Sequence, residues 1–159
     1  MLSLSKHLYR AARVSKSSGV VEMLRQAQHD VLFAFILLIM KTLVLGATDN
    51  PDRYAYRAVH QLKNHGHEVV PVGIRKGQVA GLPIHTDRPQ EAGIDTVTLY
   101  VGPQNQPGWY DYILSLKPRR IIFNPGTENP ELEQKAQAAG IQTEEACTLV
   151  MLSVGQYEK

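Results

Sequence analysis

The 159-residue sequence contains one cysteine, Cys147, one tryptophan and three phenylalanines. A lone cysteine forms no internal disulfide, so stability must come from an apolar core, which a chain of this length can build unaided. No Cys/His group has the spacing of a zinc site, and no metal is expected. Strong charge is also missing: the formal net charge is +2. Residues 1–40 carry five Lys/Arg against two Asp/Glu, whereas residues 41–159 carry twelve against thirteen. The basicity therefore belongs to the N-terminal segment, and the rest offers no large basic patch for nucleic acid. The G-x-G-x-x-G fingerprint, the Walker loop, the G-x-S-x-G elbow and a His-x-x-x-His pair are all absent. A single unpaired thiol fits a reducing, cytoplasmic location.

Long apolar runs are scarce. The run VLFAFILLIM at 31–40 stops at Lys41, about half the length needed to span a bilayer. Met40-Lys41-Thr42 is a poor signal-cleavage site. Met40 leads directly into KTLVLG, a natural first strand. The expected organisation is an N-terminal extension or mis-assigned start at 1–39, a functional domain at 40–155 and a C-terminal tail at 156–159. A membrane-adjacent helix at 20–40 is the alternative for the first segment. No membrane role is expected of the domain.

From residue 40 onward, strand and helix signals alternate. TLVLG (42–46), HEVVPV (67–72), TVTLYV (96–101), RIIFN (120–124) and IQTEE (141–145) read as strands. The apolar runs suit strands buried on both faces. Helices are expected from Pro51 to the Gly66 cap, around Trp109–Leu116, from Pro130 to the Gly140 cap, and over 148–154. Residues 73–93 are irregular, with Ile84 in a short strand. Repeated strand–helix–strand units imply an α/β fold: a doubly wound parallel sheet of Rossmann-like type in three α/β/α layers.

In such a sheet, ligands bind beyond the C-terminal strand ends. The first strand ends at Gly46-Ala47-Thr48-Asp49-Asn50-Pro51-Asp52-Arg53. Gly46 permits a tight turn, Ala47 leaves room for a ligand, and Thr48 offers a hydroxyl. Helix N–H groups point at the same spot, and Arg53 adds a bidentate phosphate donor. An NAD site carries an acid after the second strand. Here Pro71-Val72-Gly73-Ile74 is followed by Arg75 and Lys76, which suit an extra ribose phosphate, as in coenzyme A or NADP. A tight connection with solvated surface cations is the plainer reading of the same residues.

Gly46-Ala47-Thr48, Asn50-Pro51, Arg53, the Gly66 turn, Pro71-Val72-Gly73 and Asn124-Pro125-Gly126 resemble the small bacterial CoA-binding domain proteins. These are stand-alone relatives of the CoA-binding domain of succinyl-CoA synthetase. The resemblance covers about 41–155. It implies a CoA-binding Rossmann-like fold, with coenzyme A as the cofactor and no catalytic partner domain. It implies that Gly46, Ala47, Thr48 and Arg53 line the diphosphate site. Val72 and Gly73 would border adenine and ribose, Lys76 would lie near the phosphates, and Asn124 and Gly126 near the pantetheine arm. The family's serine two residues after the arginine is Ala55 here, and its Val-Asn-Pro is Val72-Gly73-Ile74.

No catalytic constellation accompanies this loop, so a non-catalytic binding module, sensing or regulatory, is expected. His60, His65 and His67 surround the end of the first helix on an expected solvent side. Glu144 and Glu145 lack a second domain to enclose them. Cys147 is read as structural, with a place near the ligand edge as the alternative. Tyr100, Trp109, Tyr110 and Tyr112 are read as core or interface, with adenine stacking as the rival. The competing functions are an NADP-dependent oxidoreductase subunit and a ligand-free interaction protein. The binding module is compatible with a partner protein, the oxidoreductase subunit requires a catalytic acid from another chain, and the interaction protein implies a homodimer through Trp109, Tyr110 and Tyr112.

Overall fold

The computed structural model describes residues 19–34 and 39–159. The chain divides into two units, Met1–Leu38 and Ile39–Lys159. In the first, residues 19–34 form helix α1. The segment 20–40, for which a membrane-adjacent helix was the alternative reading, falls partly outside the described residues. No described helix is long and apolar enough to cross a membrane.

The second unit is built on five parallel strands: β1 (Lys41–Leu45), β2 (Glu68–Val72), β5 (Thr96–Leu99), β6 (Arg120–Phe123) and β7 (Gln142–Glu145). Their order is β2-β1-β5-β6-β7. In register, Leu43 lies between Val70 and Val97. The chain leaves β1 toward β2 and later returns to the other side of β1 at β5, so the order reverses at β1. The connecting helices are α2 (Tyr54–Asn64), α3 (Tyr110–Ser115), α4 (Pro130–Ala138) and α5 (Thr148–Ser153). The fold is Rossmann-like, as expected.

Alternation along the strands separates two cores. Leu43, Leu45, Val97, Leu99, Ile121 and Phe123 pack with Ile113, Leu132 and Ala136 of α3 and α4. Val44 and Ile122 pack with Val59 and Leu62 of α2 and with Met151 and Leu152 of α5. The second face also buries Thr42, Thr96, Thr98 and Arg120. Burying such groups is tolerable only when they are paired, and they are. Arg120 Nε donates to Thr96 Oγ1 at 2.9 Å, Thr42 Oγ1 meets the Tyr157 hydroxyl at 2.6 Å, and Thr98 meets Thr148 at 2.8 Å.

The residues beyond the last helix are therefore not a loose tail. Tyr157 is fully buried, its carbonyl accepts from Arg120, and the guanidinium lies 4.7 Å from its ring centroid. His67 is likewise buried rather than solvent-facing. Its Nδ1 accepts the Met40 N–H and its Nε2 lies 3.1 Å from Glu158. Burial holds its pKa below the ordinary histidine value. His65 is exposed and His60 half-buried, its ring tilted against that of Tyr56.

Several boundaries differ from the sequence expectation. Helix α2 begins at Tyr54, not Pro51, because Asn50 turns the chain first: its Oδ1 takes the Asp52 N–H and its carbonyl the Arg53 N–H. Residues 73–93 contain a hairpin of β3 (Gln78–Val79) and β4 (Leu82–Pro83). Ile84 follows β4 instead of lying in a strand, and is buried. Trp109 belongs to a 3-10 turn, Pro107–Trp109, ahead of the short α3.

Candidate functional site

Beyond the C-terminal ends of β1, β2, β5 and β6 lies an open cleft of about 1130 Å³. It sits at the reversal of strand order, where a parallel sheet leaves a crevice between diverging loops. Gly46, Ala47, Thr48, Arg53, Gly73 and Gly126 of the predicted set line it. Val72, Lys76 and Asn124 do not. Val72 is fully buried, and Lys76 is exposed outside the lining. Asn124 is internal: Nδ2 donates to Thr98 Oγ1 and the Leu99 carbonyl, and Oδ1 accepts the Thr148 N–H. It ties β5, β6 and α5 together behind the cleft.

The first loop is held by its neighbours. Gly46 has φ +96°, and a Cβ there would lie 2.8 Å from the Tyr100 carbonyl oxygen. Glycine is the residue that meets both demands. The N–H groups of Gly46 and Ala47 both donate to the Val72 carbonyl at 2.9 Å. Those two amides are thus committed internally, so Gly46 and Ala47 line the cleft without offering it a backbone donor. The Asn50 N–H goes to Thr48 Oγ1 at 3.2 Å, which leaves the threonine proton free to donate outward. Among the described residues, the N–H groups of Thr48, Asp49, Tyr54 and Ala55 have no internal partner. All four residues line the cleft. Arg53, at the N-cap of α2, and Arg75, after β2, supply its two cationic side chains; Asp49 is its one carboxylate.

Of the opposite wall, the sequence pointed to Gly126 and, through the adenine-stacking alternative, to Tyr100 and Trp109, but not to Val101, Gly102, Asn105 or Thr127. Tyr100, Val101, Gly102, Asn105 and Trp109 come from the β5–α3 connection, and Pro125 and Thr127 from the loop after β6. Burial raises the pKa of Tyr100, so it stays a neutral phenol. Gln106, fully buried, joins these loops: its Nε2 donates to the Val101 and Thr127 carbonyls at 2.8 and 2.7 Å, and its Oε1 accepts from Asn129 at 2.8 Å. Gln106-Pro107 between two turn signals was the available clue. Of the remaining aromatics, Tyr110 and Tyr112 are core residues, which removes them as an exposed interface. Trp109 packs partly on the core, with the Arg88 guanidinium 4.5 Å from its ring centroid. Cys147 is half-buried at the N-cap of α5 and does not line the cleft. No metal-binding group of three or more His, Cys, Asp or Glu exists among the described residues.

A doubly wound sheet with an open cleft at its switch point, lined by two arginines, defines a class: Rossmann-like α/β proteins. The particular family follows from comparison. The chain belongs to the CoA binding domain family, whose model matches residues 40–153. A crystal structure described as that of an uncharacterized protein is 58% identical, covering 74% of this chain and 98% of its own, with a TM-score of 0.73. A hypothetical protein from Pyrococcus horikoshii OT3 is 24% identical over 79% of this chain and 90% of its own, with a TM-score of 0.68. A Thermus thermophilus protein is 22% identical over 80% and 97%, with a TM-score of 0.67. The latter two show the fold alone. Comparison with curated proteins finds no match.

Proposed function

We propose that this chain binds coenzyme A or an acyl-CoA in the cleft at the tips of β1 and β2, as a non-catalytic module that senses or regulates. One observation carries the reading. Arg53 and Arg75, from loops after adjacent strands, share one open cleft with the free N–H groups of Thr48, Asp49, Tyr54 and Ala55. Guanidinium groups and oriented amides are the donors that recognise diphosphates and ribose phosphates. Family membership supports the choice of CoA. The absence of an acid after β2, where Gly73, Ile74 and Arg75 stand, disfavours NAD and accommodates a phosphorylated ribose.

A thermal-shift panel of CoA, acetyl-CoA, NAD and NADP tests this. A ligand that binds only the folded state raises the melting temperature by mass action. CoA and acetyl-CoA are expected to stabilise the protein, and NAD to leave it unchanged. Stabilisation by NADP alone would transfer the reading to an oxidoreductase subunit. No response to any of the four would leave an interaction protein with this fold.

A further inference from the structure

We propose that the cleft discriminates against ligands carrying a free carboxylate at the thiol end, and that Glu128 sets this preference; the inference rests on the CoA reading above. The cleft is electrically lopsided. Its two cations, Arg53 and Arg75, stand at the β1 and β2 tips. A ligand with its phosphates there must extend its arm toward the β5 and β6 loops. That end is lined by Val101, Gly102, Trp109, Pro125, Gly126 and Thr127, with no cationic side chain.

The charge beside it is negative. The Glu128 carboxylate accepts the N–H of the cleft-lining Gly126 at 2.7 Å. The donor that would otherwise greet an anionic group is thus already occupied by the protein's own anion. Glu128 is within electrostatic reach of Glu133. Burial raises the Glu133 pKa, and the charges of Glu145 and Glu128 add to the effect. Neither Arg88 nor Glu128 lines the cleft itself; Arg88 is held over the ring of Trp109, whereas Glu128 occupies the backbone donor of Gly126. A free thiol or a neutral acyl group meets no penalty at this end. A dicarboxylic acyl group, whose second carboxylate stays ionised near neutral pH, meets like charge and a blocked amide. Specificity then comes from the repulsive element.

Calorimetric titration of CoA, acetyl-CoA and succinyl-CoA against the full chain and against Glu128→Gln and Glu128→Lys provides the test. At an effective dielectric of about 20, a like unit charge about 12 Å away weakens binding about tenfold. Succinyl-CoA should therefore bind at least about tenfold more weakly than acetyl-CoA. The ratio should shrink in Glu128→Gln and reverse in Glu128→Lys, which a merely structural role for residue 128 would not produce. Equal affinities in the wild type, or a ratio unchanged in both variants, would overturn the inference. If none of the three ligands bound, the CoA reading itself would fall, a result distinct from equal binding.

Discussion

Gly73→Ala is the sharpest single perturbation of the cleft. A Cβ at this position would run into the Ala47 carbonyl oxygen, a backbone atom, and approach Ile84 Cγ2 to 3.1 Å. Rotamer changes cannot relieve the first contact. Nor is the loop free to retreat, because Gly46 and Ala47 both hang from the Val72 carbonyl at 2.9 Å, and the Gly73 N–H is held by the His85 carbonyl at 2.9 Å. Relief means losing one or two hydrogen bonds worth about 1 kcal/mol each, on top of overpacking costs of about 1–3 kcal/mol. A loss of about 3 kcal/mol is expected, or roughly 10 °C in melting temperature for a domain of this size. Gly66→Ala is the control. Gly66 has φ +83° with nothing near its Cβ position, so only backbone strain of about 1–2 kcal/mol applies. Urea melts should separate the two variants, and CoA affinity should fall only for Gly73→Ala. If Gly73→Ala were no less stable than Gly66→Ala and bound CoA equally well, the close packing of the β2 tip on the first loop would be refuted.

Other expectations follow from the buried polar groups. Deleting residues 156–159 removes Tyr157 from the core and strips Arg120 of its carbonyl partner, which should cost roughly 3–5 kcal/mol in denaturant unfolding. Gln106→Leu removes the donor to the Val101 and Thr127 carbonyls and one of the two acceptors of the Asn129 amide, which keeps only the Tyr110 hydroxyl; roughly 2–4 kcal/mol should be lost, with weaker CoA binding because both loops line the cleft. His67 has a folded pKa below its ordinary value, so the unfolded chain takes up its proton first as pH falls. Stability should therefore decline from about pH 6.5 down to the folded value, and urea midpoints across pH 5–8 should flatten in His67→Gln.

The strands and the first loop were legible because each carries its signal locally. TLVLG reads as a buried strand, and Gly46 to Arg53 reads as a strand-to-helix turn with a phosphate donor. Interactions between distant segments were not legible. The Val72 carbonyl claims two loop amides only because β2 pairs beside β1. Asn124 ends the strand RIIFN, and the family resemblance places it near the pantetheine arm, yet Thr98 and Thr148, brought near by the fold, draw its amide inward. The second cleft wall, Tyr100 to Trp109, depends on Gln106 bridging to Thr127. Tyr157 passed as a tail residue because its partners, Thr42 and Arg120, lie far back in the chain.

The dissociation constant of CoA, measured by calorimetry for the full chain and for Arg53→Ala and Arg75→Ala, tests the central claim most directly. Each guanidinium lost from a phosphate should weaken binding by roughly 10- to 100-fold. Neither change should shift the melting temperature by more than about 2 °C, since both side chains are exposed. Undetectable binding to the wild type, or equal affinity in all three proteins, would contradict the account.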